Sequence, residues 1–94
     1  MNNMGTINVI RQKQTVGFLI PFDVYLDNQF MGSIKSGKSI SLTVNYGMHM
    51  VSIKTIDKTI NQEILVDDNY KVVNITCNCL MGFLTGRPNI LSIN

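Results

Sequence analysis

The sequence predicts an all-β sandwich, and three observations carry that reading. Short segments alternate apolar with polar residues, turn-forming residues separate them, and the composition is rich in Ile, Val and Thr with no alanine. Alanine is the best helix former, so its absence from 94 residues weighs against helix-based folds. The length suits a single domain over residues 1–94, with one modest core and no room for a separate catalytic lobe. A hydrophobic fraction of 45% beside 15% charged residues describes a chain that folds rather than a disordered tail.

In chain order, the first strand is expected at Thr6–Gln12. Phe22-Asp23-Val24-Tyr25-Leu26 alternates next, and Asp27-Asn28 supplies a two-residue turn into Gln29–Ile34, because both residue types tolerate positive φ. A turn at Ser36-Gly37 leads into Ser39–Val44, where Ile40, Leu42 and Val44 face one way and Ser39, Ser41 and Thr43 the other. Asn45-Tyr46-Gly47 then turns the chain into His49–Lys54. Further strands are expected at Thr59–Val66, Tyr70–Cys77 and Asn89–Ile93, with Asp67-Asp68-Asn69 as the turn between the first two. About eight short strands at this spacing specify a sandwich or a small barrel.

A net charge of +2 is too small for a nucleic-acid footprint. The eight basic residues, from Arg11 to Arg87, are spread along the sequence and read as ordinary solvated positions. No apolar run reaches the length of a membrane span, and Met1–Thr6 shows neither the basic nor the apolar region of a secretory signal. The expected location is therefore cytoplasmic as the chain stands, or the envelope if the native chain carries a signal or anchor.

Gly32-Ser33-Ile34-Lys35-Ser36-Gly37-Lys38-Ser39 matches the phosphate-binding loop G-x-x-x-x-G-K-S letter for letter. Such a loop must open a helix, whereas the residues after Ser39 alternate with period two and include β-branched Ile40, Thr43 and Val44. The segment therefore reads as a hairpin joining two strands. Cys77 and Cys79 share one strand face with Val73 and Ile75 and are expected as buried free thiols. The alternative for them is a metal or redox pair completed by His49. His49, the only histidine, falls in phase with Val51 and Ile53 and reads as a packed, hydrogen-bonded side chain. No serine sits in a nucleophile elbow, and Asp67-Asp68 reads as turn material. The expectation is a protein that is not an enzyme, with no catalytic, cofactor-binding or metal-binding residue.

Val24-Tyr25-Leu26-Asp27-Asn28-Gln29-Phe30-Met31-Gly32, followed by Tyr46-Gly47-Met48-His49-Met50-Val51-Ser52-Ile53, resembles the PEGA-type domains and a related bacterial lipoprotein-type domain of unknown function. In that pattern a strand ending Val-x-Val-Asp-Gly runs through a short hairpin to a glycine, and Pro-Gly-x-His-x-Val begins a later strand. Asn28 stands here for the usual glycine and Tyr46 for the usual proline, and the PEGA tetrapeptide is absent. The resemblance covers about the central third of the chain, extended weakly by the opening strand at Ile7–Arg11. It implies a small antiparallel sandwich of immunoglobulin- or prealbumin-like type with seven to eight strands. It also implies an envelope-associated binding or structural module without chemistry of its own.

Function is then expected on the surface. Met48 and Met50 fall out of phase with the core positions of their strand, Met31 is a candidate neighbour, and methionine-rich patches suit adaptable binding. Leu80, Met81, Phe83 and Leu84 make the segment from Leu80 to Pro88 unusually apolar for a connection, either as a loop folded over one end or as a docking surface. These seven residues are the candidate interaction surface, with a protein partner or a second copy as occupant. A carbohydrate platform using Tyr25, Tyr46 or Tyr70 is the alternative, weakened by the absence of tryptophan.

Overall fold

A computed structural model describes residues 3–15, 17–81 and 86–94. Eight strands follow one another: β1 (Met4–Arg11), β2 (Phe22–Leu26), β3 (Gln29–Ile34), β4 (Ser39–Asn45), β5 (Gly47–Lys54), β6 (Thr59–Val66), β7 (Val72–Met81) and β8 (Gly86–Ile93). They form two four-stranded sheets, ordered β4-β1-β7-β8 and β3-β2-β5-β6. The all-β sandwich expected from the alternation is the observed architecture.

The core lies between the sheets, where Ile7, Val9, Leu42, Val44, Val73, Ile75, Cys77 and Cys79 of one sheet meet Phe22, Val24, Ile34, Val51, Ile53, Ile64 and Val66 of the other. Period-two alternation produces this division directly, since successive side chains leave opposite faces of a strand. β1 and β7 show it most cleanly, with every second residue buried from Gly5 to Arg11 and from Val73 to Cys79. Asp27 and Asn28 adopt φ of 49° and 70°, the two positive values that a tight hairpin between β2 and β3 requires.

Three features differ from the sequence reading. β1 pairs with β7 in parallel, so the sandwich is not antiparallel throughout. Ser36-Gly37 does not close a hairpin: β3 and β4 lie in different sheets, and the turn is an arch with Gly37 at φ 78° and the Lys38 N–H donating to the Lys35 carbonyl at 3.0 Å. Strand pairing is decided by distant partners, here β1 for β4, which turn chemistry does not encode. Leu80, Met81 and Gly86–Pro88, expected in a connection, continue β7 and β8 in an antiparallel ladder with Leu80 opposite Arg87 and Met81 opposite Gly86. Cross-strand hydrogen bonding extended both strands beyond the point where clear alternation stopped. Phe83 and Leu84 lie outside the described residues.

The molecule is elongated, 49 × 22 × 17 Å, and the strand directions sort its connections into two ends. One end carries residues 12–15 and 17–21, the arch 35–38 and the turn 55–58, beside the close of β7 and the start of β8. The other carries the Asp27-Asn28 turn, Asn45-Tyr46-Gly47, the 67–71 connection and Asn94.

Candidate docking seam and its surroundings

A sandwich of open sheets leaves four edge strands, and each must be protected from uncontrolled pairing. β3 is bulged at Met31, the extra residue between the Val24–Gly32 and Tyr25–Phe30 pairs. β8 is bulged at Leu91 and also carries Arg87 and Pro88. β4 turns the polar side chains of Ser39, Ser41, Thr43 and Asn45 to solvent. β6, Thr59-Ile60-Asn61-Gln62-Glu63-Ile64-Leu65-Val66, has an unshifted register with β5, no proline and a single charge. β4 is likewise unshifted, without proline and without charge, so what sets β6 apart is the apolar Leu65 among its exposed positions.

β6 also borders an apolar groove. Gln62, Glu63, Ile64 and Leu65 form one wall, and Tyr70, Val73, Ile93 and Asn94 form the other, around a volume of about 340 Å³. Leu65, Tyr70 and Ile93 are all exposed along it. The outer faces of the two sheets differ in their contacts. On the β4-β1-β7 side, Ser41 Oγ donates to Asn8 Oδ1 at 2.6 Å and Asn8 Nδ2 donates to Asn74 Oδ1 at 2.9 Å, a polar ladder across three strands. On the other sheet, Tyr25 and Phe30 meet edge-to-face at 5.5 Å, and Met48 stands opposite Leu65. Exposed large apolar side chains on strands divide evenly between the sheets, with Phe30, Met31, Met48 and Leu65 on the sheet that ends in β6 and Val72, Met81, Leu91 and Ile93 on the other.

The residues expected at an interaction surface are divided by this geometry. Met48 is 60% exposed beside Leu65 and joins the seam, and Met50 follows opposite Glu63. Met31 lies on β3, with β2 between it and β5. Leu80 belongs to the other sheet, where it pairs with Arg87, and Met81 Sδ lies 4.0 Å from Cys79 Sγ at the far end of that sheet. The β6 edge itself escaped the sequence reading. The available signal was a strand of eight residues with one charge and no proline, but an edge strand is distinguishable from a central one only once pairing is known.

His49 is packed and hydrogen-bonded, as its phase suggests. Its Nδ1 lies 2.7 Å from Asp27 Oδ2 and its Nε2 lies 2.6 Å from the Asn45 carbonyl oxygen, while Asp27 Oδ1 accepts from the Met50 N–H at 2.8 Å. Carboxylate and carbonyl oxygens only accept, so both ring bonds together require the doubly protonated ring. Burial opposes that charge, but the hydrogen bonds to Asp27 and Asn45 and the charge of Asp27 outweigh it, and the His49 pKa is raised from 6.5. Asp27 is lowered in turn by its bonds from His49 and Met50. A raised histidine stabilises the fold below its unfolded pKa and loses that contribution as pH rises through the folded value. A depressed carboxylate contributes above its unfolded pKa and loses it as pH falls through the folded value. Chemical denaturation across pH is therefore expected to show stability falling from weakly acid to weakly alkaline pH, and His49→Gln is expected to flatten that slope. An unchanged slope in the variant would remove the pair as its source.

Cys77 and Cys79 are buried free thiols, and burial pushes Cys77 up to about 11 against the opposing effect of Arg11. His49 sits by the Asp27 turn, at the end opposite Arg11, so the structure does not bring it to the cysteines. Arg11 itself departs from its expected solvated place: it is 1% exposed, with its guanidinium 3.8 Å from the centre of the Phe22 ring. Nη1 donates to the carbonyls of Ile20 at 2.6 Å and Ile34 at 2.9 Å, Nη2 donates to Gly17 at 2.9 Å, and Nε has no partner among the described residues. Desolvation lowers its pKa, with the two cysteines opposing. Of the three tyrosines, Tyr70 lines the seam, Tyr46 donates to Asp68 at 3.0 Å, and Tyr25 lies under Lys54 on the outer face. Neither the groove beside β6 nor the one beside Phe18–Pro21 is lined by two of them.

Fold and seam define a small two-sheet β-sandwich whose β6 edge borders an apolar groove. No family model, curated protein or solved structure matches the chain.

Proposed function

We propose that this chain is a non-catalytic interaction module that associates with a second copy of itself through β6. The observation that carries the reading is the unpaired β6 edge running beside the Leu65–Tyr70–Ile93 groove. Two antiparallel edges related by a twofold axis make an isologous contact in which the same surface serves both copies. An axis through Gln62 sets Glu63 against Asn61 of the second copy and Ile64 against Ile60, pairing a carboxylate with an amide and apolar with apolar. Shifting the axis to Glu63 would oppose two carboxylates, which disfavours that register. The resulting sheet has eight strands, with Met48 and Leu65 of both copies on one continuous face.

The non-catalytic part of the proposal is supported by His49, whose two nitrogens are both engaged, and by Cys77, whose thiol stays protonated at neutral pH. The PEGA-type resemblance supports the same reading, because such domains serve as envelope-associated binding or structural modules. Sedimentation equilibrium tests the association. The parent protein is expected as a concentration-dependent dimer, and Gln62→Lys, which places two ammonium groups on the axis, is expected to weaken it at least about tenfold while leaving the thermal midpoint of the monomer unchanged. A parent that remains monomeric at the highest soluble concentration rejects the proposal.

A further inference from the structure

The fold gathers basic residues that the sequence disperses. Seven of the eight, Arg11, Lys13, Lys35, Lys38, Lys54, Lys58 and Arg87, fall on the end formed by residues 12–15 and 17–21, the 35–38 arch and the 55–58 turn. Asp23 and Asp57 are the carboxylates in that half, whereas Lys71 shares the opposite half with Asp27, Glu63, Asp67 and Asp68. A chain of net charge +2 is therefore strongly polarised along its 49 Å axis.

The same end carries the two most exposed large apolar side chains among the described residues, Ile56 at 93% and Leu19 at 80%. Phe18 beside Leu19 is also exposed. Both loops are anchored at the start of β8: Thr55 Oγ1 donates to the Gly86 carbonyl at 3.1 Å, and a side chain added to Gly86 would collide with Ile20. Between them and the arch, Phe18, Leu19, Ile20 and Pro21 face Lys35, Ser36 and Lys38 across a groove of about 440 Å³. Arg11 holds this loop in place from beneath through its bonds to Gly17 and Ile20.

Apolar side chains on loop tips cost solvation in water and gain it in the acyl boundary of a bilayer, while lysines behind them meet headgroup phosphates. A nucleic-acid surface would use the charges but not Leu19 and Ile56. The acidic end of a second copy would likewise leave those side chains against Asp27, Asp67 and Asp68. We infer that the Phe18–Leu19 and Ile56 loop tips, with Lys35, Lys38 and Lys58 around them, dock this protein peripherally on an anionic membrane surface. The inference is independent of the β6 seam, where an antiparallel pair would turn the loop ends of its two copies in opposite directions.

Vesicle co-sedimentation at low and high salt tests it, with mixed phosphatidylglycerol–phosphatidylcholine vesicles against phosphatidylcholine alone. Binding is expected to the anionic vesicles, to weaken with salt, and to fall about tenfold with each of Leu19→Ser and Ile56→Ser and about fivefold with each of Lys35→Gln and Lys38→Gln. All four positions are exposed or form turns, and circular dichroism confirms that the variants remain folded. The chain has no tryptophan, so Leu19→Trp provides a single reporter whose emission is expected to shift to the blue on anionic vesicles. Equal binding to neutral vesicles overturns the inference, as does binding that ignores Leu19→Ser and Ile56→Ser, or an unshifted emission from the Leu19→Trp protein. Salt-sensitive self-association that the two serine substitutions abolish, without vesicle binding, assigns the end to a second copy instead and also overturns it. The Gln62→Lys protein is expected to retain binding, which separates this result from the fate of the β6 dimer.

Discussion

Arg11→Ala is expected to destabilise the fold by about 3–5 kcal/mol in urea denaturation followed by far-UV circular dichroism. The guanidinium is buried against Phe22, and no carboxylate lies within ion-pair distance of it among the described residues. Its charge is instead met by three backbone carbonyls drawn from two different segments, Gly17 and Ile20 of the β1–β2 connection and Ile34 at the end of β3. Truncation removes the packed stem and takes this donor from the Ile20 and Ile34 carbonyls, each loss costing about 1–3 kcal/mol if no water replaces the guanidinium, while the Gly17 carbonyl keeps the Ile20 N–H at 3.0 Å. Arg11→Lys keeps the charge but not the planar fork that reaches three acceptors at once, and it is expected to fall between the parent and the alanine variant. A loss below about 1 kcal/mol for Arg11→Ala would show that the carbonyls find other donors, and the assigned role would not stand.

Gly5→Ala is the second large effect expected, about 2–4 kcal/mol by the same measurement. Gly5 is buried on β1, and a β-carbon there would overlap Val66 Cγ1 and lie 2.6 Å from the Lys71 carbonyl oxygen. That carbonyl accepts from the Thr6 N–H at 2.8 Å, so it cannot withdraw without breaking the bond that leads into the β1–β7 ladder. Val66 is fully buried at the end of β6. A compensating Val66→Ala in the Gly5→Ala background is expected to recover part of the loss, because it relieves one of the two overlaps. If the double variant is no more stable than the sum of the singles, Val66 is not the obstacle.

Both positions illustrate where sequence reading stops. Arg11 closes an alternating strand and falls on its inward phase, yet charge alone marked it as solvated, because arginine is seldom buried without a partner. What overrides that expectation is the curl of residues 17–20 and the end of β3 toward it, two segments whose proximity no local pattern encodes. Gly5 reads as an ordinary strand residue, since the groups that crowd it, Val66 and Lys71, belong to a distant part of the chain.

Local pattern was enough to lay out the elements of this protein. β2, β3 and β6 have the bounds their alternation predicts, and the Asp27-Asn28 turn adopts the positive φ its residues favour. Period-two burial and turn chemistry depend on neighbours a few residues apart, which is why they can be read from the chain alone. Three-dimensional assembly was needed to part β3 and β4 into different sheets, to leave β6 at an edge, and to bring seven dispersed basic residues to one end with Leu19 and Ile56. Each of these depends on which strands pair and in which direction, and pairing is settled by the cooperative burial of a core assembled from the whole chain. The proposed seam and the proposed membrane-facing end are both products of that pairing, so neither is visible in any single segment.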